Sequence, residues 1–131
     1  MQTIIDIHQH ASEDIRALRQ TDLRAATDVL VALEQLRADP DVIDKLTTYG
    51  SNNVGLVRLG VKAWESMRRT GNLWRFRIFE TPASYCYRVI YGYHWQTRQI
   101  CILAVVNKES FDYDDLNSDI ARRIAADWRS L

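Results

Sequence analysis

Two hydrophobic periods divide the chain. Between Leu23 and Leu36 apolar side chains recur at helical spacing with charged residues on the opposite side, which predicts an amphipathic helix. Beyond Leu73 the pattern changes to apolar–polar alternation and to continuous apolar runs, as is typical of strands. Helical patterns followed by strand patterns predict an α+β domain.

The first half of the chain reads as one strand and then helices. The run TIIDIHQH predicts a strand, and Ser12 with two acids behind it indicates a helix start. Pro40 is expected to end the helix that begins near Leu23 and to open a further short helix that stops at Gly50. Residues 50–71 lack a clean period and are interpreted as an extended connection, with room for a short helix around 62–69.

The second half predicts a three-stranded meander and a last helix. The strands are LWRFRIFE, SYCYRVIYGYHW and QICILAVV, and the last of these is apolar enough to be covered on both faces. Asn117 or Ser118 can cap a C-terminal helix, about 116–131, in which three large apolar residues recur every fourth position. The prediction is a single domain, 1–131: a curved antiparallel sheet, made of the N-terminal strand and the meander, with the N-terminal helices on one side and an extra C-terminal helix.

The charge distribution and the two cysteines restrict the classes to which the protein can belong. The 131 residues carry 17 basic and 17 acidic side chains, yet residues 62–106 alone carry seven basic and two acidic ones. This asymmetry permits a local anion-binding surface, whereas the overall balance argues against tight non-specific binding of nucleic acid. No apolar run has the length of a membrane span, and no secretory signal is visible. Cys86 and Cys101 lie in apolar runs and are expected to be buried, reduced thiols, which is consistent with a cytoplasmic location.

Three arginines of the meander are candidates for binding an anion. Strand alternation places Arg75 and Arg77 on one face, roughly 6–7 Å apart. Arg88 on the adjacent strand could complete a three-point clamp for phosphate, whose oxygens match the planar guanidinium fork. The alternative is an ordinary outer face on which these arginines are solvated or paired with Glu80 or with the acids of 112–119.

The other polar and aromatic clusters of the sequence are weaker candidates for a functional site. His8 and His10 share a strand face but have no acidic or cysteine partner, so a metal site is not expected. The aspartates of 112–115 lack the glycine and distal glutamate of a calcium loop. Four tyrosines of the second meander strand share one parity and are expected on its core face: Tyr85, Tyr87, Tyr91 and Tyr93. No metal or cofactor is predicted.

The order of these elements and three of their motifs resemble the RelE/ParE superfamily of toxin–antitoxin toxins. The motifs are LWRFRI, then YRVIY, then ILAVVNKESFDY, supported by ASEDIRAL after the first strand and by the helix end LEQLRADP. The resemblance covers about 11–49 and 72–113. The chain departs from the family in its longer 50–71 segment, in its last helix and in its neutral net charge, since the RNA-cleaving members are typically basic.

The resemblance implies a metal-independent endoribonuclease that cuts messenger RNA on the ribosome. Arg88 and Lys108 would stabilise the charge of the phosphorane, and Tyr113 would stack a base or assist proton transfer. Glu109 and His94 are alternative proton carriers. The implied RNA-binding residues are Arg75, Arg77, Arg68 and Arg69.

The resemblance also implies a cognate antitoxin protein that covers the basic face, besides messenger RNA and the ribosome as partners; no membrane is expected. The acids of the last helix, Asp119 and Asp127, could dock near that face, although packing through Ile120, Ile124 and Trp128 is the simpler role. The alternative function is a ParE-like toxin that inhibits DNA gyrase, or a non-catalytic binding protein on the same fold. A neutral charge fits that alternative better than RNA cleavage.

Overall fold

A computed structural model describes residues 4–79 and 84–131, which form one mixed sheet with helices on both of its faces. The predicted α+β class, with N-terminal helices and a C-terminal helix, is confirmed. In chain order the elements are β1 (Ile5–Ile7), α1 (Gln9–Thr21), α2 (Leu23–Ala38), α3 (Val42–Leu46), β2 (Gly50–Val54), β3 (Val57–Ala63), a 3₁₀ helix (Glu65–Met67), β4 (Leu73–Ile78), β5 (Tyr87–His94), β6 (Gln99–Asn107) and α4 (Asp119–Arg129).

The sheet has the strand order β1-β6-β5-β4-β3-β2. The predicted meander is β4, β5 and β6, all paired antiparallel. β1 lies beside β6 and runs parallel to it, so the sheet is mixed rather than purely antiparallel. The described residues therefore place the first and the last strand of the chain side by side.

Residues 50–63 form the hairpin β2–β3 and not the predicted connection. Val54 pairs with Val57 across a tight turn in which Gly55 has a φ of 58°. β3 then pairs with β4, which extends the sheet beyond the meander. A strand period was hard to see because Gly60 interrupts the alternation of VRLGVKA. Of the helix predicted around 62–69, only the 3₁₀ helix is present.

The helices begin and end at capping residues, and the sequence pattern identifies some of these residues. α1 begins before the predicted Ser12, because the Nδ1 of His8 accepts the N–H of His10 at 3.0 Å and caps the helix there. α2 ends two residues before Pro40, as predicted. Ser118, one of the two predicted caps, accepts the N–H of Ala121 at 3.2 Å and starts α4.

Each face of the sheet has its own core. α1 and α2 cover the first face, where Leu33, Leu36 and Phe76 are fully buried. α4 covers part of the second face through Ile124 and Trp128, which confirms the packing role predicted for that helix.

β6 contributes to both cores and is buried from Ile100 to Val106. Within β6, Leu103 is an extra residue, because Ile90 pairs with Ala104 while Tyr91 pairs with Ile102. This bulge turns both Leu103 and Ala104 towards α4.

Both cysteines are free thiols, as predicted, but the prediction that both are buried is wrong for Cys86, which is only partly buried. Cys101 is buried, and burial raises the pKa of its thiol to about 11. Within 4–79 and 84–131, no helix combines the length and the apolar character needed to cross a lipid bilayer.

Trp128 anchors α4 on a surface made by two glycines. A Cβ added at Gly92 would lie 2.2 Å from the Cζ3 of Trp128, and one added at Gly71 would lie 2.0 Å from its Nε1. Both distances are far below van der Waals contact, so the indole fits only where these side chains are absent.

We expect Gly92→Ala to destabilise the protein by about 1–3 kcal/mol, because the new methyl group must displace the indole and with it α4. Urea denaturation monitored by circular dichroism measures the change in the free energy of unfolding. In a Trp128→Leu background the same substitution should cost less, since the clashing ring is gone. An equal cost in both backgrounds would contradict this explanation.

Candidate functional site

Three arginines lie on the face of the sheet opposite α1 and α2. β4 and β5 pair with Arg75 opposite Ile90 and Phe76 opposite Val89, and continuing this register sets Arg77 opposite Arg88. Phe76 belongs to the core under α1 and α2, so Arg75 and Arg77 point to the other face, as predicted from alternation.

These arginines line one open groove of about 330 Å³. β3 adds Lys62, which pairs with Arg75 across the strands. Phe79 lies over Gly60, where an added Cβ would meet its ring at 2.7 Å. The groove is lined by Tyr49, Gly50, Ser51, Gly60, Val61, Lys62, Arg75, Phe76, Arg77, Phe79 and Arg88. We refer to it as the basic groove, after Lys62, Arg75, Arg77 and Arg88.

Arg88 is the most buried of these cations, with 8% of its surface exposed. Its Nη1 donates to the backbone carbonyls of Tyr85 at 2.7 Å and Tyr87 at 2.9 Å, which hold the guanidinium in place. Burial is the main cause that lowers the pKa of Arg88; Arg77 and Arg75 lower it further, while Tyr113 opposes them. The side chain remains a cation at neutral pH, since an arginine pKa starts from above 12.

The described residues supply no carboxylate within salt-bridge distance of the four cations of the basic groove. Glu80, a partner considered from the sequence, lies outside the described residues. A half-enclosed cluster of like charges is unfavourable on its own and becomes favourable when an anion enters. The electrostatics of the groove therefore suit a phosphate-bearing ligand.

Aromatic rings separate the cations and extend the site. The Cζ of Arg75 lies 4.0 Å from the ring centroid of Tyr113, and the Nζ of Lys108 lies 4.0 Å from that of Tyr85. The ring of Tyr85 also lies within 5.9 Å of the Cζ of Arg88. Such contacts are favourable for cations and hold them apart. The structure thus brings Lys108 and Tyr113 to the same surface as the three arginines.

Tyr85 does not share the position of the other three tyrosines predicted for the core. Tyr91 is fully buried and donates its hydroxyl to the carbonyl of Leu46 at 2.7 Å, and Tyr87 and Tyr93 pack on the same core. Tyr85 precedes β5 and is 42% exposed, so strand alternation does not govern its side chain.

The position of Tyr113 is fixed by the 3₁₀ segment beside it. The indole Nε1 of Trp64 donates to the backbone carbonyl of Tyr113 at 2.8 Å, and the rings of Trp64 and Phe111 meet that of Tyr113 edge-on. Its hydroxyl is buried, and Arg75 is the charged side chain that interacts most strongly with it. Burial raises the pKa of Tyr113, with Arg75 and then Arg88 opposing it, so the hydroxyl keeps its proton at neutral pH and can donate it.

Several residues predicted for the site lie elsewhere. Arg68 is exposed and pairs with Glu65, and Arg69 is exposed; neither lines the basic groove. His94 stacks on Trp128, with 4.0 Å between ring centroids, at the opposite end of β5 from Arg88. Glu109 has an exposed side chain and follows Lys108 in the chain.

The structure adds Lys62 and Tyr49 to the site. Both line the basic groove and the depression that continues from it towards Phe111 and Tyr113. Tyr49 is 71% exposed at the rim, where its ring is accessible for stacking. Lys62 was missed because Gly60 obscures the alternation of β3, whereas Tyr49 reaches the groove only through the placement of the β2–β3 hairpin.

Comparisons of the chain with models of known protein families, with curated proteins and with solved structures found no match. The chemistry of the basic groove is therefore the basis for a functional proposal.

Pyrophosphate should stabilise the wild-type protein, because it compensates cations of the basic groove that have no carboxylate partner among the described residues. At ten times its Kd the gain is about 1.4 kcal/mol, which a thermal melt detects as a rise in Tm. The gain should fall in Arg75→Gln and Arg77→Gln. Arg68→Gln, which removes an arginine outside the groove, is the matched control and should respond like the wild type. An equal response in all four proteins would contradict anion binding in the groove.

Replacing Arg75 with glutamine should raise the pKa of Tyr113 further, because Arg75 is the group that most opposes the effect of burial. Tyrosinate absorbance during an alkaline titration, taken as the difference from the same protein with Tyr113→Phe, measures this pKa. A lower pKa in Arg75→Gln would show that Arg75 does not favour the tyrosinate.

Proposed function

We propose that the protein is the toxin of a type II toxin–antitoxin system, a RelE-like endoribonuclease that cuts messenger RNA on the ribosome, in the cytoplasm, without a metal ion. One observation carries this proposal: Arg88 is a buried cation without a carboxylate partner among the described residues, and it lies beside two further arginines in an open groove. Lys108 and the buried hydroxyl of Tyr113 complete the set that the resemblance implies.

Cleavage would proceed by attack of a 2′-hydroxyl on the adjacent phosphate: the 2′-oxygen–phosphorus bond forms, the bond from phosphorus to the 5′-oxygen breaks, and the proton of the 2′-hydroxyl passes to solvent water. The phosphorane gains negative charge, and the arginines of the groove are positioned to stabilise it. Both bonds from Arg88 to backbone carbonyls use Nη1, so Nε and Nη2 have no partner among the described residues and are available to phosphate oxygens. Holding Arg88 in place before the substrate arrives lowers the reorganisation needed in the transition state.

Tyr113 is suited to protonate the leaving group. The departing 5′-oxygen needs a proton, and a tyrosine whose pKa is raised by burial holds one at neutral pH. Arg75, which lies over the ring, would then stabilise the tyrosinate that remains. The described lining of the groove contains no histidine, so catalysis would depend mainly on charge stabilisation and on protonation of the leaving oxygen.

The ligand of the groove would be single-stranded RNA. Arg75 and Arg77 project from one face of β4 roughly 6–7 Å apart, a spacing close to that of consecutive phosphates. Tyr49 at the rim offers an exposed ring on which an unpaired base can stack. The cognate antitoxin is expected to cover the same groove with an acidic segment, because the described residues supply no carboxylate partner to its cations.

A ParE-like gyrase inhibitor is the second candidate. It is favoured by the zero net charge of the chain and by the absence of histidine from the described groove lining. Such a protein would use the basic groove for binding alone.

Expression of the wild-type protein should arrest growth with rapid loss of translation, and Arg88→Ala should abolish this effect. In a ribosome-programmed cleavage assay, Arg88→Ala should reduce the rate by about 10²–10³-fold, as expected for the loss of a group that stabilises transition-state charge. Tyr113→Phe should reduce the rate as well, since the phenyl ring can stack but cannot donate a proton.

Arg68→Ala, outside the groove, is the matched control and should retain full activity. Circular dichroism must show that Arg88→Ala is folded, because Arg88 also satisfies two backbone carbonyls. Intact messenger RNA together with inhibited DNA supercoiling would favour the gyrase alternative. Expression of a folded wild-type protein that leaves growth, messenger RNA and supercoiling untouched would refute both.

A further inference from the structure

Three metal-ligating side chains converge at the β1 edge of the sheet. His8 follows β1, His10 lies in the first turn of α1, and Asp127 comes from α4, 117 residues after His10. One ligand atom of each lies within 4.8 Å of the other two. The sequence offered no acidic partner for the two histidines; the packing of α4 supplies one.

The charge of Asp127 is available to a cation. Asp127 is 8% exposed, and its Oδ2 lies 2.6 Å from the Nδ1 of His10 and 3.6 Å from the Nδ1 of His8. Arg123 is 3.9 Å from the same oxygen, but its Nη1 and Nη2 donate to both carboxylate oxygens of Asp14 at 3.0 and 2.8 Å. The charge of Arg123 is thus matched by Asp14, so a buried carboxylate faces two imidazoles.

The Nδ1 of His8 carries no proton, because it accepts the N–H of His10. Its single lone pair is used by that helix-capping bond, so an ion bound at Nδ1 would replace the bond. Metal–ligand bonds of about 2.0–2.1 Å in a tetrahedral zinc site separate neighbouring donors by roughly 3.3–3.4 Å. The separation between His8 and Asp127 is close to this value. That between His10 and Asp127 would open by less than about 1 Å as the ion replaces the shared proton.

We infer that His8, His10 and Asp127 bind a divalent transition-metal ion of the zinc class. Two imidazole nitrogens and one carboxylate oxygen form a ligand set that zinc accepts, with a fourth position for water. The side chain of His10 is 42% exposed and gives the ion a path of entry. The ion would fasten α4 to the corner between β1 and α1.

This site is separate from the basic groove. The groove lies on β3, β4 and β5, whereas the histidines lie at β1, beyond β6. The inference therefore goes beyond the proposed function, and neither depends on the other. A metal ion here would stabilise the fold and would leave cleavage independent of metal.

Isothermal titration of the EDTA-treated full chain with zinc chloride tests the inference. The wild type should bind one zinc ion per chain, and zinc should raise its Tm. His10→Asn and His8→Asn should each weaken binding by at least about 10–100-fold, the range that changes around a metal site produce. Asparagine at position 8 retains a helix-capping side chain, so His8→Asn is expected to fold.

His94→Phe is the matched control, because it removes the remaining histidine of the chain but keeps a ring that stacks on Trp128, and it should leave zinc affinity unchanged. Cys86→Ser and Cys101→Ser test the two thiols in the same way. No zinc binding by the wild type, binding lost with a cysteine rather than with His8 or His10, or equal affinity in all variants would each overturn the assignment. Circular dichroism of every variant without metal separates loss of a ligand from loss of folding.

Discussion

The strand β6 is apolar on both faces, and the remainder of the molecule is arranged to cover it. Its residues from Ile100 to Val106 are all buried, which a two-layer protein cannot achieve. α1 and α2 cover one face, and α4 must return along the other. The bulge at Leu103 increases the apolar surface that α4 covers, because it turns two successive side chains towards α4. Three layers follow from this one strand.

The same constraint creates the open groove. α4 packs over β6 and the neighbouring end of β5, where Trp128 lies against Gly92. It does not reach the part of this face formed by Lys62, Arg75 and Arg77. That region therefore remains open to solvent on one side and lies against a packed core on the other. Cations at such a boundary are partly desolvated, so they bind anions more strongly than surface cations do.

Arg88 marks this boundary. It is buried enough to lose hydration, yet it obtains two backbone carbonyls instead of a carboxylate among the described residues. An arginine with a purely structural role is more commonly paired with an acid, as Arg123 is with Asp14. The proposed ligand-binding role of Arg88 rests on this contrast between two arginines of one chain.

Alternation and apolar runs were sufficient to predict the meander, the orientation of Arg75 and Arg77, and the final helix. They failed where contacts between residues far apart in sequence determine the structure. Gly60 hid the strand period of β3, and Tyr85 left the core face because it precedes β5. No local signal could join Asp127 to His8, since only the docking of α4 brings them together. The candidate site was thus predictable for residues on strands, but not for those that reach it from loops or distant helices.

The segment between β6 and α4 couples the groove to the packing of the last helix. It carries Lys108 and Tyr113 to the arginines and then continues into Ser118, the cap of α4. Its path is fixed where Trp64 donates to the carbonyl of Tyr113 and where the hydroxyl of Ser66 donates to Asp114 at 2.8 Å. A segment anchored at the start by β6, at the centre by the 3₁₀ helix and at the end by α4 holds Tyr113 in one position. The aromatic end of the basic groove therefore depends on the docking of a helix that contributes no residue to it.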